Sequence, residues 1–189
     1  MRVSIVGNIG CGKSTLLKAI EPHVRKVVYE PVDKWSILPL FYEDMDKWSF
    51  AMQVQVLQCY SEIPDDVIIE RSPWEALNIF SKNLVETNKM TNIEYELHEK
   101  LFAQIGWTPD VVIYLKLDVD TCYERIKQRS RECESTIPYE YLQSLNVLYE
   151  KLVTNAGPRV YIIDAKQNSE NVSQEALEII QSVSGVCNA

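Results

Sequence analysis

The run Gly7-Asn8-Ile9-Gly10-Cys11-Gly12-Lys13-Ser14-Thr15 carries the strongest chemical signal in the chain. It fits the spacing GxxxxGK[ST]; a short apolar run, Val3 to Val6, precedes it and a segment of helical periodicity, Ser14 to Ile20, follows. Three of the six glycines fall at positions 7, 10 and 12, as a loop needs if its backbone N–H groups are to wrap a triphosphate without Cβ clashes. In such a cradle Lys13 reaches the β and γ phosphates, Ser14 ligates Mg²⁺, and the helix N-terminus adds a favourable dipole. A chance glycine-rich turn would not need the strand before it and the helix after it. The cradle implies a nucleoside triphosphate and says nothing of the acceptor.

Two carboxylates stand where acceptor chemistry is expected. Glu30-Pro31-Val32-Asp33-Lys34-Trp35 follows a second apolar run, and Glu70-Arg71-Ser72 follows a third. A neutral hydroxyl acceptor must give up its proton as the new bond forms, and Glu30 is positioned to take it. Glu70, at the end of a strand, can hold Mg²⁺ or its water. The bland alternative for either glutamate alone is a solvated strand end. A third cluster, Glu124-Arg125-Ile126-Lys127-Gln128-Arg129-Ser130-Arg131, is the densest positive stretch of an acidic chain. Arg125 and Arg129 share a helical face, with Arg131 just beyond, and converging guanidiniums suit a transferring phosphoryl group. An exposed helix face paired with Glu124 and Glu132 is the plainer reading.

The elements that must carry these groups alternate. Strands are expected at Val3 to Val6, Val27 to Tyr29, Val67 to Ile69, Val111 to Leu117 and Val160 to Ile163. Helices are expected at Ser14 to Ile20, Trp48 to Ile63, Pro73 to Leu84, Ile93 to Phe102, Val119 to Gln128, Pro138 to Val153 and Ala176 to Val183. This alternation predicts an α/β fold with a parallel sheet covered on both faces, whose ligands bind at the carboxyl ends of the strands. With 189 residues, no internal repeat and no linker, residues 1–189 are expected to form one domain.

Composition removes other classes. At 46% hydrophobic and 24% charged residues the chain can bury a core without disulfides or metal, so disorder and small cystine scaffolds are excluded. The net charge of −8 argues against nucleic-acid binding. No apolar run approaches the roughly 20 residues of a membrane span, and the N-terminus lacks a signal pattern, so a soluble intracellular protein with no membrane partner is expected. The five cysteines, Cys11, Cys59, Cys122, Cys133 and Cys187, are scattered and suggest neither zinc nor a disulfide framework. His23 and His98 lie in charge-rich stretches and are expected at the surface.

Together these residues resemble the deoxyribonucleoside kinase family over nearly the whole chain. The resemblance rests on the GNIGCGKST loop, Glu30-Pro31-Val32 with Trp35, Phe41-Tyr42, Gln53, Glu70-Arg71-Ser72 and the RxxxRxRxxE run from Arg125 to Glu134, in that order and spacing. It implies a P-loop kinase with a five-stranded parallel sheet of order 2-3-1-4-5, an Arg-rich lid, a homodimer packed through helices, and transfer of phosphate from ATP to a nucleoside 5'-hydroxyl with Mg²⁺. By resemblance Glu30 is the base and Arg71 holds the same end of the sugar. Tyr42 and Glu134 bind the 3'-hydroxyl. Gln53 pairs with the base edge, and Trp35, Phe41, Val56 and Phe80 wall the base. Arg125, Arg129 and Arg131 form the lid, and the segment from Asp164 to Asn168, with Asp164, Ala165 and Lys166, lies near the adenine of ATP. The chain begins almost at its first strand, so a mitochondrial address is not expected; a compact viral or bacterial enzyme in the cytoplasm, host cytoplasm if viral, is.

The residues themselves favour a hydroxyl acceptor, because a phosphate acceptor needs nearby basic residues where this chain offers Glu30 and aromatic side chains. Base choice is harder: an amide can face thymine or, flipped, cytosine or adenine. Relatives that favour deoxycytidine or purines carry an Arg and Asp pair near the base, and the matching positions here are Tyr60 and Ala76. The pocket therefore resembles those that accept thymidine, although Tyr60 departs from the smaller apolar residue expected and could serve only helix packing. A thymidylate-type monophosphate kinase is the alternative enzyme. A nucleotide switch or ATPase interaction protein is the alternative outside that class, against which Asn88-Lys89-Met90-Thr91 lacks the aspartate of a guanine-reading NKxD element.

Overall fold

The computed structural model of the chain describes residues 1–129, 137–152 and 157–184. Five strands, β1 (Arg2–Val6), β2 (Val27–Val28), β3 (Val67–Glu70), β4 (Val111–Lys116) and β5 (Arg159–Asp164), form one sheet of order β2-β3-β1-β4-β5. Every neighbouring pair is parallel, as alternating strands and helices require. In β4, Val111, Ile113 and Leu115 join one core cluster while Val112 and Tyr114 join another, so the strand is apolar on both faces. Register sets Ile5 opposite Glu70 and Val6 opposite Tyr114, which gathers the chain exits beyond β1, β3 and β4 at one edge.

Helices α1 (Lys13–Ile20) and α9 (Ser169–Ser184) cover one face, burying Leu16, Leu17 and Ile20 with Val172, Ala176 and Ile180. Helix α8 (Tyr139–Leu152) packs on the other through Leu142, Leu145 and Tyr149, beside α7 (Val119–Arg129). A third cluster joins α2 (Leu38–Glu43) and α3 (Met45–Ser61) to β3 through Leu38, Phe41, Met52, Val56, Tyr60 and Ile69.

Several boundaries differ from the sequence reading. The edge strand β2 stops at Val28; Tyr29 is exposed and donates its hydroxyl to Glu21. Helix α2 was not expected, because Pro39 interrupts its apolar pattern, yet proline is tolerated in a first turn, where its missing N–H has no intrahelical partner. Helix α9 starts at Ser169 rather than Ala176: its first turns are polar, but Asn168 caps them by accepting from the N–H of Asn171 at 2.8 Å. The segment read as a single helix from Pro73 to Leu84 is α4 (Pro73–Glu75), a π-helical stretch (Ala76–Ser81) and α5 (Lys82–Glu86).

His23 is exposed as expected, but His98 is fully buried, correcting its assignment to the surface. In α6 (Asn92–Ile105) the spacing Tyr95, His98, Leu101, Phe102 forms the inward stripe, and the charges around His98 point elsewhere. Its Nδ1 lies 2.9 Å from the Ser81 hydroxyl, and burial lowers its pKa to about 4. Cys11, Cys59 and Cys122 are free thiols. Among the described residues no helix is long and apolar enough to cross a membrane, and no group of three His, Cys, Asp or Glu side chains could hold a metal ion.

Candidate active site

The loop after β1 has a backbone only glycine allows at two close approaches. Gly7 has φ +144° and a Cβ there would stand 2.7 Å from the Leu115 carbonyl; Gly10 has φ +84° and a Cβ there would stand 2.5 Å from the Cys122 carbonyl. The second contact seats α7 directly on the loop, and from α7 Arg125 donates to the Cys11 carbonyl at 3.3 Å. Asn8 turns its amide away to donate to the Leu142 carbonyl at 2.9 Å, tying the loop to α8. Lys13 is buried, its ammonium 3.1 Å from the Gly7 carbonyl and 3.0 Å from that of Asn8, so its charge is held over the loop. The hydroxyl of Ser14 lies 2.9 and 3.0 Å from the two carboxylate oxygens of Glu70.

Arg71 follows β3 with φ +64°, a left-handed backbone rare outside glycine and of the kind that collects at functional sites. Its N–H donates to the Ile5 carbonyl and its own carbonyl accepts from the Ser4 hydroxyl at 2.9 Å, so β1 holds the turn. The guanidinium is spanned by two carboxylates: Nε lies 2.7 Å from Glu30 and one terminal nitrogen 3.1 Å from Glu75, while Phe80 stacks beneath at 4.7 Å. Burial raises the Glu30 pKa above the usual glutamate range, with Arg71 opposing that rise and Glu70 adding to it. For Arg71 burial alone would weaken its hold on the proton, but Glu30 and Glu75 reverse this and leave it firmly charged.

Two cavities flank this centre. One is lined by the charged Lys13, Glu30 and Arg71 and by the apolar Trp35, Phe41, Val56, Ala76 and Phe80, with Tyr42, Gln53 and Tyr60 also on its wall. The π-helical turn puts Ala76 and Phe80 on that wall together. Tyr60 is fully buried and donates its hydroxyl to the Glu70 carbonyl at 3.0 Å. The carbonyl oxygen of Gln53 is buried with no hydrogen-bond partner among the described residues. The second cavity is lined by Gly12, Thr15, Arg125, Ala165, Gln167, Ser169 and Ser173. Both are bounded by Gly10 and Arg129, so the loop and the arginine helix form their common wall.

The structure therefore gathers nearly all the sequence-predicted residues. Asp164 and Lys166 are the exceptions: neither lines the second cavity, and Lys166 reaches back to Asp118 at 3.2 Å. Arg131 and Glu134 lie outside the described residues. Sequence reasoning passed over Glu75 and Tyr149, although Glu75 stands four residues beyond Arg71 on a helical start capped by Ser72. Tyr149 had no local signal.

Residues 3–188 match the deoxynucleoside kinase family. The 029R protein of Invertebrate iridescent virus 3 is 38% identical over 185 residues, covering 94% of this chain and 95% of its own. The thymidine kinase of Ictalurid herpesvirus 1 is 31% identical over 196 residues, covering 93% and 84%. Among solved structures, the deoxyadenosine kinase of M. mycoides with dCMP and a flexible dCDP bound superposes with a TM-score of 0.86 at 27% identity, over 97% of this chain and all of the other. The chain belongs to the deoxynucleoside kinase family, and its fold and sheet order are those of a P-loop kinase. Its activity is that of a deoxynucleoside kinase using ATP.

Proposed function

We propose that the preferred acceptor is thymidine, phosphorylated at its 5'-hydroxyl. The observation that carries this reading is that Tyr60 and Ala76 stand on the same cavity wall as Gln53, whose buried carbonyl has no partner among the described residues, and that no aspartate among them lines that cavity. Thymine presents an N3–H donor beside a carbonyl acceptor, matching the carbonyl and NH₂ of one amide. Tyr60 spends its hydroxyl on Glu70, and Ala76 has no polar group, so neither can make the charged contacts expected for cytosine or a purine. The herpesvirus thymidine kinase relative is consistent with this choice, while the deoxyadenosine kinase fold neighbour makes it a point for experiment.

In this reading Glu30 accepts the 5'-hydroxyl proton and Arg71 orients that oxygen. Lys13, Arg125, Arg129 and Arg131 bear on the phosphates, and Gly7, Asn8, Ile9, Gly10, Cys11, Gly12, Ser14 and Thr15 form the cradle. Ser14 and Glu70 supply hard oxygen donors side by side, which suits Mg²⁺; when bound, that ion neutralises phosphate charge. Ala165 on the wall of the second cavity supports an adenine position there. Tyr42 and Glu134 hold the 3'-hydroxyl. The exposed Ile93, Leu97 and Ile105 on α6 support a homodimer through this helical face. A cytoplasmic location accords with the absence of a membrane-crossing helix among the described residues.

The test is ADP release with ATP and Mg²⁺, run in parallel without acceptor and with thymidine, deoxycytidine, deoxyadenosine, deoxyguanosine and dTMP. Nucleoside-dependent turnover fastest with thymidine supports the reading. Faster turnover of deoxycytidine or a purine rejects the pocket argument, and activity on dTMP alone rejects the role of Glu30.

A further inference from the structure

We propose that Glu75 and Tyr149 are positioning residues for phosphoryl transfer, holding Arg71 against Glu30 and fastening the phosphate loop to the acceptor site at Gly7. The inference rests on the roles given above to Glu30 and Arg71. Neither Glu75 nor Tyr149 lines the acceptor cavity, and both are fully buried. One oxygen of Glu75 accepts from Arg71 at 3.1 Å, from the Tyr149 hydroxyl at 2.5 Å and from the Gly7 N–H at 3.4 Å. The Tyr149 oxygen also lies 3.1 Å from the Arg71 guanidinium and 3.1 Å from the Gly7 carbonyl.

A phenol has one proton, and the shortest contact assigns it to Glu75, leaving its oxygen to accept from Arg71. The ring is stacked on Tyr114 of β4, centroids 5.4 Å apart and planes 10° from parallel, so it cannot swing away. Arg71 is thus gripped at both ends of its fork. With Glu75 and Tyr149 released, the terminal nitrogen keeps only the longer 3.4 Å contact with the Gly7 carbonyl, the guanidinium could pivot about its ion pair with Glu30 over Phe80, and the 5'-oxygen would lose its orientation. Stability alone supplies no reason for a carboxylate here, because its second oxygen is buried without a partner and an amide or apolar side chain would be cheaper to desolvate. The same pair joins α8 and α4 to the loop, so donor cradle and acceptor site are set in one framework.

The test uses the deoxynucleoside that the wild-type enzyme phosphorylates fastest, whichever that is, so failure of the thymidine reading appears in the wild type and leaves this test intact. Glu75→Gln, Tyr149→Phe and the double variant are compared with wild type in kcat, nucleoside KM and folded fraction by near-ultraviolet circular dichroism. Each single variant is expected to lower kcat per folded molecule by roughly 10- to 100-fold, as loss of orientation does, with nucleoside KM moving less than about threefold. The double variant is expected to fall within about twofold of the worse single, since both act on one guanidinium. Unchanged kcat in a folded variant, a loss confined to nucleoside KM, or losses that multiply would overturn the proposal. If one single variant does not fold, the other decides. Wild-type turnover that needs no acceptor would reject both this proposal and the acceptor chemistry beneath it.

Discussion

The Nε of Arg71 lies 2.7 Å from a carboxylate oxygen of Glu30, and the Glu30 side chain is only 16% exposed. The pair joins the exit of the edge strand β2 to that of β3, with Lys13 on the same cavity wall. A carboxylate so placed is kept short of water, which raises its affinity for a proton while Arg71 opposes that rise, the balance a base toward an alcohol needs.

Replacing Glu30 with glutamine keeps the shape and removes the base. Turnover is expected to fall by roughly 10² or more while nucleoside affinity, measured by direct titration, stays near wild type. Because burial raises the Glu30 pKa and the proposed base acts in its ionised form, wild-type kcat/KM should decline as pH falls through a value above the ordinary glutamate range. A variant that keeps most of its kcat, or the same acid limb, would reject the assignment.

Lys13 is the buried cation of the loop. Lys13→Ala should abolish turnover, because no other ammonium lines either described cavity at the loop. Single-turnover assays with saturating ATP check this, and near-normal rates would defeat the cradle.

Tyr42 lines the first cavity beside Phe41, ring centroids 5.2 Å apart, and is proposed to meet the 3'-hydroxyl there. Tyr42→Phe and Glu134→Gln should each weaken nucleosides bearing a 3'-hydroxyl by several-fold more than their 3'-deoxy analogues, on the order of one hydrogen bond. Kinetics on a matched pair of nucleosides read the difference; equal losses would remove the 3'-hydroxyl role.

His98 makes stability depend on pH. Its pKa is lowered to about 4 in the folded protein against 6.5 as the ordinary value, so the unfolded chain binds the extra proton first. Its contribution is therefore full above the ordinary value and shrinks as pH falls toward about 4, a loss of at most about 3 kcal/mol. Urea titrations from neutral to acid pH should show this slope, and His98→Gln should flatten it. An unchanged slope would show that His98 does not carry the effect.

The sequence alone determined the glycine-rich loop, the succession of strands along the chain and the carboxylates that follow them, while the sheet order was legible only through the family resemblance. The first three depend on local rules: glycine where the backbone turns left-handed, apolar runs for strands buried on both faces, and charged side chains directly after strand ends. Glu30, Gln53, Arg71 and Arg129 were legible because their spacing along the chain resembles a family pattern. Tertiary structure decided the rest. Glu75 becomes meaningful only when Tyr149, 74 residues away in sequence, meets it in the core. His98 is turned inward by the packing of α6 on its neighbours, against the charges around it, and Lys166 pairs with Asp118 instead of lining the second cavity. These outcomes depend on long-range contacts, which set burial and pairing and leave no periodic trace in a single stretch of chain.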